Sequence, residues 1–241
     1  MSSVHRFCLQ DQVGFERLVS LGLDQTRSMI CGNIKYDAID KPSDNPPLVD
    51  ASRHVFFAAC THELEETYCY QVWMELRQQY PSLLLILAPR HIERCQEVSA
   101  AMSDERWQVA LLSSQPKLDD SMDILVVDQV GVLARCYAVA DAVFLGGSFV
   151  DRGGHSPVEA AFLARSVVMG PSVFNIESMV KDMLDTKAID IVANSDQLKT
   201  TVELMLREPD WAKKKGLAAQ AYIDKHKGAL QRHLDEIIAL L

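Results

Sequence analysis

The stretch that decides the fold is AVFLGGSFVDRGGHSPVEAAFLARSVVMGP, Ala142 to Pro171. Its first four residues, Ala142 to Leu145, read as a buried strand. Gly146-Gly147 end it, because glycine adopts backbone angles that other residues avoid. A polar loop follows, closed by Gly153-Gly154. Ser156 then reads as a helix cap and Pro157 as part of the first turn, with Glu159 beside it and Ala160, Ala161, Leu163 and Ala164 continuing the helix. Strand, glycine loop and helix N-terminus in succession offer free N–H groups to an anion. Neither of two familiar motifs is present. There is no GxGxxG, and Ser148 lacks the glycine two places on that a nucleophile elbow requires.

The same alternation extends outward from this stretch. On its N-terminal side, strands are predicted at His54 to Ala59, Leu83 to Ala88, Gln108 to Leu112 and Ile124 to Val127. Thr61 reads as the cap of a helix from His62 to Tyr80, whose first turn carries Glu63, Glu65 and Glu66 as partners of the helix dipole. A further helix follows Pro89-Arg90-His91 and runs to about Met102, and a short one spans Val130 to Ala138. Beyond Pro171 come a helix (Ile176 to Leu184), a strand (Ala188 to Val192) and helices at Ser195 to Leu206, Trp211 to His226 and Ala229 to Leu241. Strands alternating with helices predict an α/β fold with a doubly wound parallel, Rossmann-like sheet. Ligands bind such sheets at the carboxyl ends of the strands, where Thr61, Arg90, Gly131 and the loop from Ser148 to Glu159 all fall.

Upstream, residues 1–37 read as a strand (Arg6 to Leu9), a helix (Gln12 to Leu21) and a strand (Met29 to Cys31), an αβ unit without its first half. Residues 38–51, rich in proline, read as a linker, and 52–241 as the main domain. The formal charge of −9 argues against a general nucleic-acid binder, since phosphate contacts demand a basic surface. No apolar run reaches the length of a membrane span, and the first ten residues lack the apolar core of a signal peptide. Six cysteines occur without a CxxC pair, and read as reduced core thiols of a cytosolic protein. Zinc-finger spacing and an acidic cluster at a strand end are both missing, so no metal is expected.

Arg90 and His91 directly follow a buried strand, where Arg suits a phosphate because its fork donates two parallel hydrogen bonds. Arg94 lies one turn on, and Arg94→Ala is expected to change ligand binding little beside Arg90→Ala. His155 could donate to a phosphate or cap a carbonyl. Glu159 could accept from ribose hydroxyls or balance the helix dipole.

The segments CGNIKYD, ACTHELEE, LILAPRH, GGS and GGHSPVEAA…GP, in that order, resemble the 3-deoxy-D-manno-octulosonic acid (Kdo) transferases. That family shows TGNLKFD, ASTHxGEE, LVPRH, MGE, GGS and GGHNPLEPA…GP. The resemblance implies the C-terminal, donor-binding half of a GT-B fold that moves Kdo from CMP-Kdo to lipid A precursor. Transfer would be inverting, independent of metal or other cofactor, and located at the cytoplasmic face of the bacterial inner membrane. It assigns donor binding to Pro89, Arg90 and His91, to Val130, Gly131 and Val132, to Ser148, and to Gly154, His155, Ser156, Pro157, Val158 and Glu159. Arg90 would hold the phosphate, Glu159 the ribose, and Lys35 would stabilise charge in the transition state. The chain departs from the family at Val132, where a Glu is missing, at Ser156 for Asn, at Ala160 for Pro and at Leu64 for Gly. The acceptor, the general base and the membrane surface would belong to an N-terminal domain, so these residues alone are expected to be inactive. Two alternatives stand beside this: a GT-B enzyme with another nucleotide-sugar donor, and a non-catalytic nucleotide-binding module.

Overall fold

The structure is a computed structural model describing residues 4–37, 48–49, 53–114 and 121–240. In chain order the elements are β1 (Phe7–Leu9), α1 (Gln12–Ser20), β2 (Ser28–Ile30), β3 (Val55–Thr61), α2 (Glu65–Leu76), β4 (Leu84–Pro89), α3 (Cys95–Met102), β5 (Val109–Leu111), β6 (Ile124–Val126) and α4 (Leu133–Val139). They continue with β7 (Ala142–Leu145), α5 (Val158–Phe162), β8 (Val167–Met169), α6 (Glu177–Asp185), β9 (Ile189–Ile191), α7 (Ser195–Arg207), α8 (Pro209–His226) and α9 (Ala229–Ile238). The chain divides into two compact units, 41–220 and the combination of 1–40 with 221–241. The expected linker, 38–51, lies almost entirely outside the described residues.

The larger unit is built on a seven-stranded sheet in the order β5-β6-β4-β3-β7-β8-β9, with every pairing parallel. Strands β4, β6, β7 and β8 are buried along their whole length, as their unbroken apolar runs require of a sheet covered on both faces. The chain winds outward from β3 to β4 and returns on the other side of β3 as β7. The strand order therefore reverses between β3 and β7, which places a crevice at their carboxyl ends. Trp73, Val72 and Leu76 of α2 share one core with Leu198, Val202 and Met205 of α7 and with Phe56, Leu85 and Phe144 of the sheet. Burial of each large apolar side chain contributes roughly 1.5–3 kcal/mol. Trp73 also donates its indole N–H to the Leu83 carbonyl at 2.9 Å, so its one polar atom is satisfied.

The smaller unit pairs β1 with β2 in parallel, with Phe7 opposite Ser28 and Cys8 opposite Met29. Asp11 caps α1 by accepting from the Gly14 amide at 2.6 Å. The Asp37 carboxylate accepts from the amides of Gly228 and Leu230, at 2.7 and 2.8 Å, and so closes the start of α9. Tyr36, Tyr222 and His226 form an aromatic cluster.

Three local expectations are corrected. Thr61 is the last residue of β3, not a helix cap, and α2 starts at Glu65, one turn later than its acidic run suggests. Ser156 caps nothing: Pro157 is the N-cap of α5, and the buried Ser156 hydroxyl has no hydrogen-bond partner among the described residues. Helix α5 stops at Phe162, because Ala164 turns to a positive φ of 54°. The next apolar run, Val167–Met169, is a strand that the sequence reading left unassigned.

Candidate functional site

The site grows from the turn between β3 and α2. Register against β4 shifts between Ala59 and Thr61, and Cys60 and Leu64 adopt φ values of 53° and 75°. Non-glycine residues rarely occupy that half of conformational space, and they stay there only when the surroundings impose it. Here the surroundings are the carboxylate of Glu65, which is fully buried. Its Oε2 accepts from the amides of His62 at 2.9 Å and Gly147 at 2.7 Å; its Oε1 accepts from those of Ser148 and Phe149, both at 2.9 Å. One side chain thus ties the β3–α2 turn to the glycine loop after β7.

This arrangement corrects the reading of that loop as a row of free N–H groups. The amides of Gly147, Ser148 and Phe149 point inward to Glu65, and those of Gly154 and His155 bond back to the carbonyls of Gly147 and Gly146, at 2.8 and 3.2 Å. Ser148 is itself buried. Its hydroxyl donates to the Leu145 carbonyl at 2.7 Å and accepts from the Gly170 amide at 2.8 Å, joining the ends of β7 and β8. Gly146 has to be glycine because a Cβ there would lie 2.5 Å from the Cys60 carbonyl oxygen and 2.7 Å from the Thr61 Cα. Gly154 is buried with a φ of 72°.

Around this frame stand the basic residues. Pro89 ends β4 buried, and the Arg90 amide donates to the Thr61 carbonyl at 2.8 Å, which fixes Arg90 beside the strained turn. The Arg90 side chain is exposed and pairs with no carboxylate among the described residues. His62 and His155 stack with ring centroids 5.3 Å apart and their Nε2 atoms 3.0 Å apart, and His91 meets His62 edge-on at 5.7 Å. Burial, then His62, Arg90 and His91, push the His155 imidazole down to about 4. Burial also lowers His62, against the pull of Glu65. The cluster is one exposed guanidinium, Arg90, beside partly desolvated imidazoles of which His155 is neutral near neutral pH, in a chain of net charge −9. Burial raises the Glu159 carboxyl above its ordinary value although its side chain is exposed, and burial followed by Glu159 pushes the Cys60 thiol up to about 11. Cys60 therefore stays a protonated thiol in neutral solution.

The structure thus brings Arg90, His91 and His155 together, and adds His62 and Glu65. In the sequence these two read as part of an ordinary acidic helix start, although ACTHELEE is itself one of the segments that carry the resemblance. Pro157 and Val158 are buried supports at the head of α5. Val130, Gly131 and Val132 form the turn before α4. Val130 is 86% exposed, Gly131 has a φ of 81°, and Val132 is an N-cap without a side-chain hydrogen bond. Lys35 lies in the smaller unit, exposed on the turn Ile34–Tyr36. Arg94 is a poor neutral comparison for Arg90, because its Nη1 bonds the buried Glu66 carboxylate at 2.8 Å.

Leu64, where the resembling family has glycine, is 57% exposed at its φ of 75°. Strain of this kind amounts to about 1–3 kcal/mol, partly offset by the greater freedom of glycine in the unfolded chain. Leu64→Gly should raise the thermal midpoint by roughly 2–4 °C. A melting curve decides it, and a lower midpoint would show that the turn is not strained.

The seven-stranded parallel sheet, with its glycine loop and the reversal of strand order at β3, is the C-terminal-domain architecture of GT-B glycosyltransferases. Within that architecture the chain is similar to 3-deoxy-D-manno-octulosonic acid transferases. It is 29% identical to the enzyme of Haemophilus influenzae over 97% of this chain and 56% of the relative, and 28% identical to that of Chlamydophila psittaci over 98% and 53%. The chain thus spans about half the length of these curated relatives. The crystal structure of the C-terminal CMP-Kdo binding domain of WaaA from Acinetobacter baumannii superposes with a TM-score of 0.67 at 27% identity, covering 71% of this chain and 89% of that one. No family model matches the sequence.

Proposed function

We propose that the crevice at the carboxyl ends of β3, β4 and β7 binds the nucleotide of a sugar donor, CMP-Kdo, for a glycosyltransferase of the Kdo-transferase kind. The observation that carries this reading is Arg90, which pairs with no carboxylate among the described residues, beside the His62–His155 stack at the point where strand order reverses. A guanidinium fork flanked by partly desolvated imidazoles, which can take up a proton beside a phosphate, is chemically matched to a phosphodiester-linked donor. Arg90 is assigned to the phosphate with His91 and His155 beside it, Glu159 to the ribose hydroxyls, and Lys35 to charge stabilisation during transfer.

On this reading the acceptor, lipid A precursor, and the base that activates it come from an N-terminal domain of the kind that fills the other half of the relatives' length. Donor binding is the share of the present residues, which alone transfer no sugar. Inversion at the anomeric centre, independence of metal at the donor site and work at the cytoplasmic face of the inner membrane belong to the same proposal. No described helix is long and apolar enough to cross a membrane. The two departures at Val132 and Ser156 bear on nucleotide choice, so a different donor or a non-catalytic module is the competing outcome.

Calorimetric titration of the chain with CMP, UDP and GDP tests the assignment, with pH as the second variable. His155 is held neutral in the free protein near neutral pH, and an adjacent phosphate favours its charged form. CMP should bind most tightly, with affinity rising as pH falls from about 8 to about 5.5 and protons taken up on binding. Stability runs the other way. The folded His155 titrates below its unfolded value, so its contribution is complete above about pH 6.5 and is lost as pH falls through that value toward 4. The part of the titration between about pH 6.5 and 5.5 overlaps the start of that loss, so a melting curve at each pH accompanies the binding measurement. Tighter UDP or GDP binding would sink the CMP assignment, and a pH-independent affinity would move the phosphate away from the histidines.

A further inference from the structure

The smaller unit contains a second cluster with chemistry of its own. Register places Cys8 of β1 beside Met29 of β2, and the alternation of strand side chains puts Cys31 on the same face as Met29. The chain is pinned there by the Cys31 and Gly32 amides, which both donate to the Leu9 carbonyl, at 2.8 and 3.2 Å. Helix α9 brings His233 to the same place. One ligand atom from each of Cys8, Cys31 and His233 lies within 4.8 Å of the others. Cys31 is buried, while Cys8 and His233 are half-buried, and both thiols are free.

We propose that Cys8, Cys31 and His233 form a binding site for a zinc ion, holding the ends of β1 and β2 to α9. Two sulfurs and an imidazole are the ligand set that soft divalent ions select over calcium or magnesium. Zinc–ligand bonds of about 2.0–2.3 Å correspond to ligand atoms roughly 3.5–3.8 Å apart in a tetrahedron, so side-chain rotation of about an ångström closes the site. A second observation supports it independently. His233 Nε2 lies 3.1 Å from the Gly32 carbonyl oxygen, the kind of outer hydrogen bond that fixes the tautomer of a ligating imidazole and leaves the other nitrogen its lone pair. Arg232 Nε donates to the Cys31 carbonyl at 2.8 Å, holding the same strand end from the neighbouring helical position. Glu236, three residues further along α9, is paired with Arg6 at 2.8 Å, which leaves the fourth coordination position to water. On binding, the two thiols release their protons to solvent and two sulfur–zinc bonds form, so the doubly charged ion is neutralised by two thiolates.

The test uses the full chain, purified reduced and stripped of metal, with cobalt(II) as a spectroscopic probe and zinc as competitor. One cobalt per chain is expected, with a thiolate-to-cobalt charge-transfer band that zinc abolishes, and zinc should raise the melting temperature. Cys31→Ser and His233→Ala should each weaken binding by at least about tenfold, while His5→Ala, exposed in the same unit, should leave it unchanged. The band in the wild-type chain reports sulfur coordination even where a variant folds poorly. Absence of the band, or binding that survives Cys31→Ser, would each overturn the zinc site.

Discussion

Glu65→Ala should lower the stability of the chain by about 3–5 kcal/mol, the scale measured when a buried charge network loses one partner. Four backbone N–H groups lose their acceptor at once, and each buried amide left unsatisfied forfeits roughly 1–3 kcal/mol unless water reaches it. The melting temperature should fall by on the order of 10 °C. Glu65→Gln is the sharper version. Its amide oxygen can still accept from one pair of amides, but its NH2 then faces the other pair, donor against donor. The glutamine variant should therefore sit close to alanine rather than close to wild type. A glutamine variant as stable as wild type would show that the carboxylate's second oxygen contributes little, and that the glycine loop holds its shape without it.

Arg90→Ala should weaken CMP binding by about tenfold to a hundredfold, the equivalent of one charge-assisted hydrogen bond of roughly 1.5–3 kcal/mol. Arg90→Lys should fall between the two, since lysine retains the charge but not the planar fork. The fold should be untouched, because the Arg90 side chain is exposed and only its backbone is engaged with Thr61. The neighbouring Arg94 is unsuitable as a control, since its removal strands the buried Glu66. Arg106, exposed and bound to Asp104 beside β5, serves instead, and Arg106→Ala should leave affinity unchanged. An Arg90→Ala chain that binds CMP like wild type would remove Arg90 from the phosphate site.

The doubly wound sheet was legible because β4 and β7 are uninterrupted apolar runs that end at proline-arginine and at glycine. Leu83 to Ala88 and Ala142 to Leu145 each match an observed strand to within one residue. Val167–Met169 escaped because a three-residue apolar run following an alanine-rich helix carries no period of its own. The start of α2 was misplaced because threonine followed by acidic residues imitates a capped helix. In the structure those same residues serve an extended strand end and an internal carboxylate. Glu65 was not legible as a loop organiser at all, since its three partners in the glycine loop lie 82 to 84 residues away. The thiol and imidazole cluster was hidden for the same reason, with ligands from both ends of the chain and no local spacing to betray them.

The carboxylate inside the glycine loop has a consequence for how a donor is received. A loop of this shape usually gathers its amides around an incoming anion, so that ordering of the receptor accompanies binding. Here the anion is already part of the chain, and the loop is assembled before any ligand arrives. Binding should then involve little loss of backbone entropy, and the free and loaded forms should differ little in heat capacity beyond the surface the ligand itself buries. Such a rigid cradle cannot remould itself around a larger base or a longer phosphate chain. Selectivity between nucleotides would rest on which side chains line the rim, and would change by substitution there without disturbing the backbone beneath.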